Sequence, residues 1–455
     1  MRPSRQAVVL LLLPLALAGH GPAEAADNGP RDKSARVDRL FECTLKSPMP
    51  GAAAVAIHRG KVLYERGYGM ANLEYDIPIT PTTKFRIGSM TKQFTALCIL
   101  QLSERGFLHI DGTIARYFPD SPNAQQITVR HLLTHTSGIT DKLDSPLEFE
   151  PGERLNYSNA GYCLLGDIVE KAAGVSYEQY LTENVLKPLG MLNTGCDRRS
   201  KILKNRASGY SVTPDGGFVH ANGDDVAAAS AAGAMYSTVE DLCRWDQALQ
   251  GSELVRPETL RQAFRKATLK DGREMGYGFG WMIGQYRGLE EICHGGTISG
   301  FNAWISRFPN QQFTVIVLSN IDMGPSNPLS SAGDLGHKIA GIYLADLMQE
   351  EEPQTPQEIE VATEIIEAYA GKYQVVNAPK EVTSVLGETV EVILKDNRLV
   401  IENAGIGQLR AESETRFFSQ MPGIKITFLK DATGAVTGLA LTAGQIREIH
   451  AERIP

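Results

Sequence analysis

The 455-residue chain has a single long apolar run, which lies near its N-terminus. The run extends from Ala7 to Ala18 and is shorter than the roughly 20 residues that a membrane-spanning helix needs. Arg2 and Arg5 precede it, and the small-x-small site Ala23-Glu24-Ala25 follows. We therefore predict a signal peptide over residues 1–25, no stable membrane insertion, and a periplasmic or extracellular location.

Cysteine is scarce, and its spacing excludes a common metal motif. The six cysteines form no Cys-x-x-Cys pair, and they show no disulfide framework, so we expect most of them to be buried thiols. His131 and His135 are four residues apart. Position 132 is Leu132 rather than Glu, so the zinc-protease pattern fails and we interpret both histidines as structural. We predict no metal site.

Two other absences narrow the function. The chain has no glycine-rich phosphate loop and no dinucleotide fingerprint, so we expect no cofactor. Its formal net charge is −8, from 45 Lys and Arg against 53 Asp and Glu, which argues against nucleic acid as a partner. The expected partner is a small molecule or a short peptide, and the sequence leaves the oligomeric state open.

The segment from Phe85 to Thr95 places Ser89 three residues before Lys92, where an apolar helix begins. Residues at this spacing share a helix face, so the amine can reach the hydroxyl. A lysine can activate a serine as a base if burial lowers its pKa. The motif alone occurs by chance in many chains. Here the following residues are apolar nearly all round the helix up to Gly106, which predicts a buried central helix.

Two later motifs accompany this pair. Tyr157-Ser158-Asn159 precedes a helical run from Ala160 to Ala173, and His294-Gly295-Gly296-Thr297 precedes a strand-like run from Phe301 to Phe308. In this order the three motifs resemble those of the penicillin-recognising serine hydrolases. These include class C β-lactamases, D-Ala-D-Ala carboxypeptidases, D-aminopeptidases and related esterases. The resemblance extends from about Val37 to Leu347.

The resemblance implies a role for each motif residue. Ser89 would attack a carbonyl and form an acyl-enzyme, and Lys92 and Tyr157 would transfer protons, in a division that the sequence leaves open. Asn159 would bind a substrate carbonyl and contact Lys92. The backbone N–H groups of Ser89 and Thr297 would form the oxyanion hole.

The third motif departs from the lysine that is common at its first position in β-lactamases. His294 is partly charged near neutral pH, whereas a lysine is a fixed cation for a substrate carboxylate. The histidine therefore argues against efficient β-lactam hydrolysis. Gly295 and Gly296 lack side chains, so we expect a substrate backbone to lie close to this strand edge.

The fold class that these patterns predict is α+β. Strand patterns lie at Ala52 to His58 and Lys61 to Tyr68, and later at Gly280 to Ile283, Phe301 to Phe308 and Phe313 to Leu318. They flank a helical middle, which predicts an antiparallel sheet with helices on both faces and a helical region. An acidic, proline-bearing stretch marks a linker at residues 349–360. Residues 26–348 would form the hydrolase domain. Short alternating strands at Val390 to Leu394, Arg398 to Ile401, Ile424 to Leu429 and Val436 to Leu441 predict a small antiparallel β-barrel over residues 361–455 that resembles a lipocalin-like domain.

These observations predict an exported serine hydrolase that cleaves an amide or ester through Ser89. Our first expectation for the substrate is a small D-amino-acid peptide, as in a carboxypeptidase-like enzyme. A carboxylesterase and a class C-type β-lactamase are the alternatives of the same mechanism. The alternative from another class is a penicillin-binding sensor that is acylated without turnover.

Overall fold

The computed structural model describes residues 30–43, 48–140, 142–198, 200–213, 215–221, 226–322, 327–349, 358–377, 386–395, 398–401, 406–419, 424–431, 433–443 and 446–454. The predicted signal peptide and most of the predicted linker lie outside these residues, and the domain boundaries stay predictions. In the described ranges, no helix combines the length and apolar character needed to cross a bilayer.

The larger unit is built on a six-stranded antiparallel sheet. Its strands lie in the order Met282–Tyr286, Leu289–Ile298, Phe301–Phe308, Phe313–Ser319, Ala52–His58 and Lys61–Tyr68. Val55 pairs with Ile316, so an early strand of the chain lies beside a late one. The predicted meeting of strands from both ends of this unit is confirmed.

Helices cover both faces of the sheet. Alternate side chains of the strand Ala52–His58 belong to two apolar clusters, because successive residues of a strand point to opposite faces. One cluster includes the helices Pro30–Glu42 and Ala332–Leu344, and the other includes the central helix Thr91–Glu104. With both faces covered, the strand Phe313–Ser319 is buried along its whole length.

The central helix Thr91–Glu104 is buried from Thr91 to Leu102, as its apolar sequence predicts. It ends before Gly106, whose φ of +79° is the left-handed conformation that glycine adopts after a helix. The other described α-helices of this unit are Val129–Leu133, Asn159–Ala173, Tyr177–Leu181, Ser230–Gly233, Val239–Ala248 and Pro257–Leu260.

Short strand pairs connect these elements. Three of them are two-stranded: Met70–Asn72 with Ile77–Pro78, Tyr210–Val212 with Phe218–His220, and Ala267–Thr268 with Glu274–Met275. In the fourth, Met235–Ser237 lies between Phe85–Arg86 and Gly195–Cys196. All six cysteines are free, and four of them are buried, which confirms the interpretation of most as buried thiols.

The C-terminal unit is a closed antiparallel barrel, as predicted. Its strands are Gly371–Asn377, Thr389–Lys395, Arg398–Ile401, Gly407–Ala411, Arg416–Ser419, Ile424–Lys430, Val436–Ala443 and Ile446–Ile454. Tyr373 pairs with Arg453, which joins the first strand to the last. Tyr369, at the end of the helix Thr363–Tyr369, stacks on Phe428 with ring centroids 4.1 Å apart. Aromatic side chains thus pack the core of this unit.

Asp246, on the helix Val239–Ala248, joins this helix to the sheet through two buried hydrogen bonds. Its buried Oδ1 accepts hydrogen bonds from Arg307 Nε at 2.7 Å and Thr314 Oγ1 at 2.9 Å. We predict that Asp246→Ala lowers the free energy of unfolding by about 3–5 kcal/mol, because Arg307 stays buried without its partner. Urea unfolding followed by tryptophan fluorescence measures this, since all three tryptophans lie in the larger unit.

The matched control is Glu183→Ala, which breaks an ion pair with Lys187 whose side chains are both more than half exposed. It should change the free energy of unfolding by less than about 0.5 kcal/mol. Equal losses of unfolding free energy in the two variants would contradict the role of Asp246 in joining the helix to the sheet.

Candidate active site

Ser89 lies in a 3₁₀ turn, Gly88–Met90, that leads directly into the central helix. Its Oγ accepts a hydrogen bond from Lys92 Nζ at 3.2 Å. The i, i+3 spacing of the motif therefore brings hydroxyl and amine together within one turn of backbone.

Lys92 is fully buried, and its amine contacts neutral oxygens. Besides Ser89 Oγ, Nζ donates to Asn159 Oδ1 at 2.7 Å and to the carbonyl oxygen of Ala232 at 2.8 Å. Among the described residues no carboxylate forms an ion pair with it. Burial without a counter-charge disfavours the ammonium form and lowers the pKa of Lys92 to about 7. At neutral pH a large fraction of the amine is therefore free to accept a proton.

The second motif approaches Lys92 from the start of the helix Asn159–Ala173. Ser158 caps this helix, because its Oγ accepts a hydrogen bond from the Gly161 amide at 3.0 Å. The cap places the Asn159 side chain on Lys92, and it leaves Tyr157 in the preceding loop.

The ring of Tyr157 lies over Lys92, with Nζ 4.7 Å from the ring centroid. The residue keeps 42 % of its surface exposed, but the surrounding protein still desolvates the phenol and raises its pKa. A hydrogen bond with Ser89 acts in the opposite direction and lowers the pKa. The raised pKa means that Tyr157 is a neutral phenol at neutral pH, whereas Lys92 titrates there.

The third motif lies on the strand Leu289–Ile298 and packs against the Ser89 turn. A Cβ added to Gly296 would be 1.9 Å from the Ile87 carbonyl oxygen and 3.2 Å from the Ser89 nitrogen. A Cβ added to Gly88 would be 2.8 Å from the Thr297 nitrogen. The two amides expected to form an oxyanion hole are therefore neighbours, and this approach requires glycine.

The structure gives the motif glycines a different reason from the one expected. The space beside Gly296 is filled by the Ser89 turn, and a Cβ on Gly295 would be 3.2 Å from the Trp304 ring. These positions are small because the protein packs on itself there. Contact of Gly295 and Gly296 with a substrate stays a prediction.

His294 is buried and neutral rather than partly charged, which corrects the expectation from the sequence. Its Nδ1 lies 2.5 Å from the Gly295 carbonyl oxygen, which can only accept, so Nδ1 carries the hydrogen. Its Nε2 therefore accepts from the Tyr277 hydroxyl at 3.0 Å. Burial, assisted by the nearby charge of Lys92, lowers the pKa of His294 to about 3. The ring therefore provides no positive charge for a substrate at neutral pH.

Four residues that support the site were not identified from the sequence as site residues. His135, Tyr162 and Tyr277 form a buried ring cluster with Tyr157, in which the His135 and Tyr157 centroids are 4.2 Å apart. Asn302 is buried and donates to Thr297 Oγ1 at 3.2 Å. The one sequence signal that pointed to these residues was His135, in the loop after the helix Val129–Leu133.

In the described part of the chain, no group of three or more His, Cys, Asp or Glu side chains could hold a metal ion.

The chain is similar to known proteins over most of its length. The Beta-lactamase family model matches residues 37–332. Penicillin-binding protein 4* of Bacillus subtilis is 28% identical over 444 residues, which are 88% of this chain and 94% of that protein.

Two solved structures share the fold. The octameric penicillin-binding protein homologue from Pyrococcus abyssi has a TM-score of 0.62 at 24% identity, over 92% of this chain and 99% of that one. The D-amino acid amidase from Ochrobactrum anthropi SV3 has a TM-score of 0.60 at 24% identity, over 69% of this chain and 99% of that one. Because the family model covers well over half of its residues, this chain belongs to the Beta-lactamase family.

Proposed function

We propose that this protein is an exported serine hydrolase that cleaves amide or ester bonds of small D-amino-acid compounds through an acyl-enzyme on Ser89. One observation carries the proposal. The amine of Lys92 contacts Ser89 Oγ, and its burial among neutral oxygens lowers its pKa to about 7. This arrangement provides a base next to a nucleophile at neutral pH.

Acylation begins when the neutral amine of Lys92 takes the hydroxyl proton of Ser89. As the proton leaves, Oγ forms a bond to the substrate carbonyl carbon, and the carbonyl π electrons move to its oxygen. The Ser89 and Thr297 amides donate hydrogen bonds to this oxyanion, and loss of one such donor typically costs about two to three orders of magnitude in rate.

Collapse of the tetrahedral intermediate breaks the bond to the leaving group. The Tyr157 hydroxyl gives its proton to the leaving nitrogen or oxygen, and the Lys92 ammonium restores that proton to Tyr157. A water molecule then attacks the acyl-enzyme with Lys92 as the base, directly or through the Tyr157 hydroxyl, which releases the acid and returns the proton to Ser89. The neutral phenol of Tyr157 suits the donor role better than the role of first base.

The charge of the site supports neutral substrate groups. His294, at the position of the cationic lysine of β-lactamases, is neutral because burial, assisted by the nearby charge of Lys92, lowers its pKa to about 3. Amides and esters need no cation at this position, whereas β-lactams carry a carboxylate. The D-amino acid amidase with the same fold is consistent with this substrate class.

A carboxylesterase is the second candidate, since an ester uses the same acyl-enzyme and a less demanding leaving group. The contacts of Lys92 with both Tyr157 and Asn159 support turnover rather than a sensor that stays acylated.

We predict that Ser89→Ala abolishes covalent labelling by fluorescent penicillin and turnover of a p-nitrophenyl ester. Lys92→Met should slow both at least about 10²-fold, because the hydroxyl loses its base. Intact-protein mass spectrometry and ester kinetics measure these changes. Ser103→Ala, on the same helix, is the matched control and should label normally. Persistent labelling of the Ser89→Ala variant would overturn the mechanism.

The pH dependence tests which group is the base. The acylation rate should be low below the pKa of Lys92, rise through about pH 7 as the amine loses its proton, and reach a plateau above it. His294→Asn should keep this midpoint, because the histidine does not titrate in this range. Stopped-flow ester cleavage from pH 5 to 9 measures the profile. If the midpoint disappears in the His294→Asn variant, the titrating group is His294 and the assignment to Lys92 is wrong.

The substrate preference tests the role of the neutral histidine. His294→Lys introduces a cation and should raise the acylation rate for penicillin relative to that for a neutral D-amino acid amide. The measurement is the ratio of the two kcat/KM values in the variant and in the natural protein, with His294→Gln as the uncharged control. An unchanged ratio in the lysine variant would show that this position does not select substrate charge.

A further inference from the structure

His135 contacts the loop of Tyr157 on both sides of that residue. Its carbonyl oxygen accepts the Asn156 amide at 2.8 Å, and its ring Nδ1 accepts the Ser158 amide at 3.0 Å. The residue before Tyr157 and the residue after it are therefore fixed by one side chain and its backbone.

The ring of His135 also supports the ring of Tyr157. The two centroids are 4.2 Å apart with the planes inclined by 34°, and His135 is 1 % exposed. The ring contacts Tyr162 and Tyr277 as well, with centroids 5.0 and 4.6 Å away. It thus connects Tyr157 to the buried interior, while Tyr157 itself remains partly exposed.

The backbone of His135 adopts an uncommon conformation to make these contacts. Its φ is +58°, in the left-handed region that residues other than glycine adopt uncommonly, although histidine is enriched there together with asparagine and aspartate. Strain of this kind persists where the surrounding structure requires it, and it is common at functional sites.

The hydrogen bonds also determine the protonation of the ring. Nδ1 accepts from Ser158, so the hydrogen of the neutral ring lies on Nε2, which is buried without a partner among the described residues. Burial and the charge of Lys92 lower the pKa of His135 well below its usual value. His135 therefore contributes a packed ring and one hydrogen-bond acceptor, and it does not exchange a proton near neutral pH.

We propose that His135 is a positioning residue for the reaction, which sets the hydroxyl of Tyr157 relative to Ser89 and Lys92. The inference rests on the proposed function of Tyr157 as proton donor to the leaving group. A ring that shifts by about 1 Å in such a site can cost about 10²-fold in rate. The two features of His135, ring and acceptor, can be removed separately.

His135→Phe keeps a ring against Tyr157 and leaves the Ser158 amide without its acceptor. His135→Asn keeps an acceptor near the position of Nδ1, tolerates the left-handed backbone, and removes the stacked ring. We expect the phenylalanine variant to lower kcat about 10- to 100-fold at unchanged KM. The asparagine variant should lose less, and it preserves the test if the phenylalanine variant folds poorly.

The matched control is His131→Phe. His131 has the same residue type four positions earlier, and its Nδ1 accepts the Thr128 amide at 3.2 Å, where it caps the helix Val129–Leu133. This variant removes an equivalent acceptor away from Tyr157 and should lower the melting temperature without lowering kcat.

Hydrolysis of a D-amino acid amide, whose leaving nitrogen needs a proton, gives kcat and KM, normalised to the fraction of molecules labelled by a fluorophosphonate that reacts with the active serine. The variants are measured in the natural protein and in a Tyr157→Phe background. If His135 acts through the Tyr157 hydroxyl, His135→Phe should change kcat less than about twofold in that background.

Two results would overturn the inference. One is an equal loss of kcat with and without the Tyr157 hydroxyl. The other is a lower melting temperature or labelled fraction with kcat per labelled molecule unchanged. If Tyr157→Phe alone leaves kcat unchanged, the proposed role of Tyr157 fails together with the inference. If Tyr157→Phe lowers kcat and His135→Phe adds to it in full, only the inference fails.

Discussion

The burial of one amine determines the electrostatics of the whole site. Lys92 Nζ is removed from water and contacts three neutral oxygens, so its charge is unfavourable in the place where it lies. Burial, assisted by the same charge, lowers the pKa of His135 and His294, and burial raises that of Tyr157. Each of these neighbours is therefore neutral at neutral pH. Among these four side chains, only Lys92 gains and loses a proton readily near neutral pH.

Close contact between the backbones of the Ser89 turn and the strand Leu289–Ile298 fixes the positions of the groups around Lys92. The Ser89 turn and the strand of His294 approach so closely that Gly296 has no room for a side chain. Thr297 is fixed from its other side by Asn302, whose Oδ1 also accepts the Ala332 amide at 2.5 Å. Two backbone donors are thus immobilised before any substrate arrives, which is the condition under which an oxyanion is stabilised without reorganisation.

The sequence predicts what depends on local spacing. The serine–lysine turn, the central helix, the start of the helix Asn159–Ala173 and the barrel class all follow from patterns within a few residues. Three barrel strands were not identified individually, namely Gly407–Ala411, Arg416–Ser419 and Ile446–Ile454. They are short or rich in charged residues, and their strand character depends on pairing with neighbours. The neutrality of His294 follows from its burial, assisted by the charge of Lys92, and no spacing rule in the sequence predicts either.

The order of strands in the main sheet has a consequence for how the chain is made. The strand Ala52–His58 needs Phe313–Ser319 as its neighbour, and almost the whole larger unit is synthesised between them. Contacts so distant along the chain slow folding, because a long loop must close before they form. In the part of the chain that the structure describes, the strands of the C-terminal barrel pair only with one another, so this unit can form later. Any product that stops before Phe313 leaves a buried apolar strand with an open edge, the geometry from which aggregation starts.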